Sequence, residues 1–400
     1  MTEFLTSQLF VSIALASILF GVIQGAVAYC IYFERKVSAW MQDRVGPNRV
    51  GPLGLLQPIA DGAKFLLKED IVPGHVEKTL FLLAPAAAFV VSFIGFAAIP
   101  WGGQWQLGEN LVNIQVANPD VGLLYILAVG SISVYGIVLG GYASNNKYAF
   151  YGAIRATAQM LSYEIPMGLC IAVVVLTVGE VRLEEITLAQ TGTWLGFLPQ
   201  WNIFLHPLAF FLLFVAVLAE CNRAPFDLAE AEQELVGGFH TEYGALKFGL
   251  FFLGEYAHMI TGSALVAVLF LGGWHMPFIP WAQPEATSLL AVLVKMTVLA
   301  GKIALFIFLM MWIRWTLPRF RFDQIMSRAW KVCIPMTLAL VVWTTALLYF
   351  NAHQTIWAPI GDVGIILVVM VAVAGSRAEI TGRQANLPPI QTSVRAARGA

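Results

Sequence analysis

Long apolar runs, each near the roughly 20 residues that cross a bilayer core, recur along the chain with polar segments between them. They place candidate spans at 7–33, 80–99, 121–143, 159–178, 203–221, 248–272, 290–313, 334–351 and 357–375. Such runs satisfy their backbone polar groups in lipid as helices. The pattern therefore predicts an all-α, polytopic membrane helix bundle with about nine transmembrane helices. One polar segment has a different period. Over 55–69, Gln57, Asp61, Lys64 and Lys68 form a single stripe opposite Leu56, Ile59, Ala63 and Leu67, as in an amphipathic helix lying along the membrane surface. Two roles stay open for it: a simple interfacial anchor, or a roof over a cavity with Asp61 and Lys64 turned inward. Residues 1–376 form one membrane domain, followed by a tail over 377–400 that has no apolar period.

Composition agrees with this reading. The chain is 58% hydrophobic with a mean hydropathy of +0.75, above what a soluble domain needs. The net charge of -1 gives no reason to expect nucleic acid. The distribution of charge says more. Of 23 Lys and Arg residues, 20 fall in alternate segments, one (Arg182) in the others, and two (Lys295 and Lys302) within the seventh span. Basic residues collect on the cytoplasmic side, so the N-terminus is expected outside and the tail inside. Trp101, Trp105, Trp274 and Trp281, in the outside loops, read as interfacial belt residues, and Glu180, Glu184 and Glu185 as a solvated face. The four cysteines lack metal-ligand spacing, and no dinucleotide fingerprint is present. The chain is accordingly expected to hold no metal, iron-sulfur cluster, flavin or NAD.

Charge is densest in AECNRAPFDLAEAEQELVGGFHTEY, which begins at Ala219. Glu220, Asp227, Glu230, Glu232, Glu234 and Glu242 gather there around the single Arg223. Asp227 and Glu230 have the spacing of a capping box, and on a helix Asp227, Glu230 and Glu234 would share one face, where like charges repel unless protonated or paired. Glu164, Glu220 and Glu255 lie in or at the inner ends of spans. A carboxylate at that depth is costly, and it either exchanges protons or makes a static pair. Lys302 is placed to pair with one of them, while Lys295, nearer the outer surface, is expected to snorkel.

ERKVSAWMQDRVGPNRVGPLGLLQPIADGAKFLLKE, RATAQMLSYEIP, the acidic stretch above and WIRWTLPRFRFDQIM occur in order from the first span to about Pro335. Together they resemble the H subunits of NADH-quinone oxidoreductase, the respiratory complex I. The resemblance implies a membrane subunit at the junction with the peripheral arm. Quinone would be its substrate, in a chamber lined or bordered by Arg35, Arg44, Asp61, Lys64, Phe226 and Asp227. Glu164, Glu220, Glu230, Glu232, Glu234, Glu242, Glu255 and Lys302 would form a charged path for protons leading from it. Peripheral-arm subunits would dock on the cytoplasmic side, with membrane-arm subunits and lipid alongside. Mitochondrial members end soon after the eighth span, so the ninth favours a bacterial inner membrane. Trp40 replaces the more usual Tyr before Met41-Gln42, and Gln233 and Gly237 depart from the usual small residues, but every acid is in place.

Two other readings compete with this one. A stand-alone transporter commonly has repeated halves with helices broken at matching positions, and this chain has no such repeat. The membrane component of an energy-converting hydrogenase shares the scaffold without quinone. The GPNRVGP turn and the ERK and AECNRAPFD motifs favour the quinone enzyme.

Overall fold

A computed structural model describes residues 8–194, 198–229, 232–352 and 354–385, with side chains at all of these except 232–233 and 372–385. Of the described residues 71% are helical. Its elements are α1 (Gln8–Met41), α2 (Gln57–Leu67), α3 (Lys78–Ile94), the hairpin β1 (Gln104–Leu107) and β2 (Asn110–Asn113), α4 (Gly122–Ala143), α5 (Lys147–Val178), α6 (Leu183–Ala189), α7 (Pro207–Glu220), α8 (Ala245–Phe270), α9 (Leu289–Thr316), α10 (Phe322–Arg328), α11 (Ile334–Tyr349) and α12 (Trp357–Ala385). Among the described residues seven helical stretches are long and apolar enough to cross a membrane, and α7 and the Trp357–Val371 part of α12 supply shorter apolar stretches at the fifth and ninth expected positions. The protein is thus a multi-pass membrane protein.

Several helices outrun their apolar cores. α1 continues through ERKVSAWM to Met41, and α5 begins at Lys147, where the Asn146 side chain accepts the Tyr148 amide at 2.9 Å. That cap lets α5 begin ahead of the stretch at which hydropathy first becomes high. The small hairpin was not expected from the helical pattern.

Close helix crossings depend on small residues. A Cβ on Gly136 of α4 would lie 2.7 Å from the Ala88 Cβ of α3, and one on Gly262 of α8 only 2.5 Å from Val217 of α7. α8 is the most buried of the long helices and packs on α1, α3, α7 and α9. The connecting segments meet in two alternating sets, as successive crossings require. At one end Glu77 N–H donates to Ala143 O (3.0 Å), and Phe320 N–H to Pro225 O (3.1 Å). At the other, Gln106 N–H donates to Thr287 O (3.0 Å) and the Gln190 amide to Val268 O (2.9 Å).

This second end corrects four expectations. Trp274 and Trp101 are buried core residues, while Trp281 is exposed. Glu184 is buried and accepts from Asn118 at 3.2 Å, with burial first and Glu185 second raising its carboxyl above the usual range. Lys295 does not snorkel: it is fully buried, with Nζ 2.8 Å from Ala286 O and 4.6 Å from the centre of the Trp274 ring. Lys302 donates to the carbonyls of Leu271 (2.6 Å), Gly273 (2.7 Å) and His275 (2.7 Å). An ammonium has three donors, and these carbonyls take all of them in place of the expected carboxylate.

Candidate functional site

After α1 the chain folds back so that Gly54, just past the GPNRVGP segment, packs on its start: Gly54 adopts φ +82°, and a Cβ there would stand 2.3 Å from Pro47 O. The turn brings α2 back beneath α1 and α8. Between the three helices lies a cavity of about 250 Å³ with largely apolar walls, including Ala28, Ile31, Phe65, Phe252 and Leu253. Its polar corner is Arg35, whose Nη1 donates to Asp61 Oδ2 at 2.6 Å, with Gln57 Nε2 on Asp61 Oδ1 at 3.1 Å. The helix therefore roofs a cavity, with Asp61 inward. Lys64 does not join it: that side chain is exposed and away from the lining, as are Ile59 and Leu67 on the outward apolar side. Arg44 also lies outside the cavity, its Nε donating to Gln42 Oε1 at 2.8 Å.

One residue before Arg35, and about 100° round the helix, Glu34 points into the bundle. It accepts from Tyr256 OH at 2.6 Å, from Arg223 Nη1 at 3.3 Å and from Arg314 Nη1. The Arg223 guanidinium also lies 4.0 Å from the centre of the Tyr256 ring. Arg223 therefore serves an acid on α1 instead of those of its own segment. Sequence reasoning passed over Glu34, although an acid ending a long apolar run was the signal.

The acidic segment is split up. Gln159 Nε2, from α5, donates to Ala219 O (2.8 Å) and Phe226 O (2.6 Å), fixing the chain as it leaves α7. Phe226 and Asp227 are buried there: the ring meets Tyr163 and Phe320 edge-on, and Asp227 Oδ2 accepts from Arg319 at 2.7 Å. Neither residue lines the cavity roofed by α2. Asp227 and Glu234 do not share the expected helical face, because Asp227 lies in a run of turns and helix is described only at Glu232–Leu235. Glu234 is exposed and accepts from Arg155 at 2.6 Å, and Glu242 accepts from Asn146 at 2.8 Å. Glu230 and the Glu232 side chain lie outside the described residues.

Deeper in the bundle two of the expected carboxylates converge. Glu220, closing α7, places Oε1 3.3 Å from His258 Nε2 of α8, and a Cβ on Gly130 of α4 would lie 2.7 Å from the same oxygen. The next residue, Ser131, hydrogen-bonds Glu164 Oε1 of α5. Glu220 and Glu164 thus approach consecutive residues of α4. Glu255 lines a small cavity of about 40 Å³ together with Glu220, His258, Ser92 and Ser133. A carboxylate beside an imidazole, with hydroxyls around it, can hold a proton and hand it on. His258 was missed because its Glu220 partner is on another helix.

The family model described as NADH dehydrogenase matches residues 13–345. Among curated relatives, the NADH-quinone oxidoreductase H subunit numbered 1 of Cytophaga hutchinsonii is 48% identical over 320 residues, covering 80% of this chain and 91% of that protein. The NADH-quinone oxidoreductase H subunit of Leptospira biflexa is 48% identical over 337 residues (82% and 92%). The corresponding protein of Geobacter metallireducens, again numbered 1, is 45% identical over 334 residues (84% and 95%).

Proposed function

Because the chain belongs to the family of NADH-quinone oxidoreductase H subunits, and is thereby a membrane subunit of complex I working among its other subunits, we propose that it receives the quinone. The cavity between α1, α2 and α8 is the proposed chamber. Its apolar walls suit the ring and isoprenoid chain, and Arg35, held by Asp61, suits the carbonyl oxygen that becomes anionic on reduction. The arrangement carrying this reading is the Arg35–Asp61 pair at the polar corner of an otherwise apolar cavity. Quinone enters from lipid, and a neighbouring subunit supplies two electrons. Two protons complete the quinol.

The added charge bears on Glu34, one residue from Arg35, and through Arg223 and Tyr256 on the Glu255, Glu220 and His258 group. Those carboxylates respond by taking up or releasing protons. The end that carries α2 and residues 221–244 faces the cytoplasm and the peripheral arm, a reading supported by the 20 of 23 basic residues in that set of segments.

The test is Arg35→Ala in membranes containing the assembled complex. NADH-dependent quinone reduction should fall roughly tenfold or more, as for removal of a charge-stabilising donor, while electron transfer from NADH to a soluble acceptor is kept. Equal loss of both activities would make Arg35 a residue of assembly and remove the chamber from this cavity.

A further inference from the structure

The helix that carries Glu220 is short. α7 has 14 residues, about 21 Å of helix against a hydrocarbon core of about 30 Å. Pro207 faces outward, but the residues around it are inside the protein, where water does not reach an unpaired amide: His206 and Ala209 are fully buried and Leu208 is buried. The local sequence does not cap it. His206 occupies the N-cap position and makes no capping bond, and Pro207 merely removes one donor.

The cap comes from another helix. The Leu208 amide donates to Asp362 Oδ2 of α12 at 3.1 Å, and Asp362 is fully buried. The imidazole of His206 lies between α12 and α5, Nδ1 4.0 Å from Asp362 Oδ1 and Nε2 3.0 Å from Thr177 Oγ1. α12 is seated closely on α11 as well, since a Cβ on Gly361 would fall 2.0 Å from the Trp343 indole. A carboxylate on the second amide of a helix is what an N-cap aspartate supplies, and its charge suits the positive end of the helix dipole.

We infer that Asp362 is a positioning residue for Glu220: by capping α7 at Leu208, α12 fixes the start of that helix and so the depth at which its last residue meets His258 and α4. The helix that does this lies beyond residues 13–345, which the family model matches. The capping is independent of the functional reading above. Its effect on turnover rests on that reading.

The experiment compares D362L, D362N, G361A and E220Q in the intact complex in membranes. It measures hydrogen exchange of the amides at 208–212 and quinone reduction per assembled complex. D362L removes the acceptor and should speed exchange at the start of α7 roughly tenfold or more. D362N keeps an acceptor oxygen and should remain near the wild type. G361A, which displaces α12 while leaving Asp362 chemically intact, should resemble D362L, and it carries the test should D362L fail to accumulate. Unchanged exchange in D362L, or in G361A where D362L does not accumulate, overturns the proposal. Activity separates the two claims. Lowered activity in the loosened variants, restored in D362N, supports positioning. Normal activity in a loosened variant while E220Q is inactive overturns positioning and leaves the reading of Glu220 intact, whereas an active E220Q overturns the reading of Glu220 itself and leaves the cap to be judged on exchange alone.

Discussion

The two ends of the bundle hold their buried cations in opposite ways. Around α2 and residues 221–244, charges meet other side chains: Glu34 has Arg223, Arg314 and Tyr256, Asp227 has Arg319, and Glu220 has His258. At the other end Lys302 meets three main-chain carbonyls and Lys295 meets one. Side-chain partners can change rotamer or protonation state. Carbonyls at a helix end can do neither. The first arrangement is suited to responding to a charge that comes and goes, and the second to holding a loop still.

The sharpest way to break this contrast is Glu220→Gln, which keeps the size and hydrogen bonding of the side chain and removes its ability to ionise. The amount of assembled complex should stay normal while quinone reduction with proton uptake falls by roughly a hundredfold, the scale of a lost proton-transfer group. Low assembly with normal activity per remaining complex would make Glu220 a static partner. Lys302→Met comes next. It leaves the carbonyls of Leu271, Gly273 and His275 without their donor, at a cost of about 1–3 kcal/mol, read as a lower thermal midpoint of the complex. Activity per assembled complex should hold. A loss there instead would return Lys302 to the charged path that the family resemblance implies. The smallest effect is expected for Glu234→Ala. Its pair with Arg155 is half-exposed, with side-chain exposures of 51% and 27%, and surface pairs contribute about 0–1 kcal/mol. Assembly and turnover measured together should both remain near the wild type.

Much of the fold was legible because the bilayer imposes a length on each apolar run, and the α2 stripe was legible because an amphipathic period needs no partner to be seen. Boundaries were less so: hydropathy does not record that a helix continues into water, as α1 and α5 do. The site was legible as a set of residues and obscure as a set of contacts. Arg35 and Asp61 were both singled out, yet nothing in their spacing tells that Lys64, on the same stripe, turns outward. Arg223 stands among six acids in the sequence and is bonded to a seventh, Glu34, which lies 189 positions away. The predicted face of Asp227 and Glu234 failed for a local reason, since a helix that is not yet formed at Asp227 cannot align it with Glu234. His258, Arg314 and Arg319 acquire their roles only through folding, so their own neighbourhoods carry no sign of them.

The Glu34 cluster also sets a timetable for making the protein. Its four members are separated by up to 280 positions, from Glu34 on α1 to Arg314 near the end of α9. At a synthesis rate of about 5–20 residues per second, roughly 15–60 s pass between the appearance of the acid and that of its last partner. Through that interval the exit of α1 must wait at the watery margin of the bilayer, and the cluster closes only when α9 has been inserted. This cluster at the end of the bundle is therefore among the last parts of the protein to be completed.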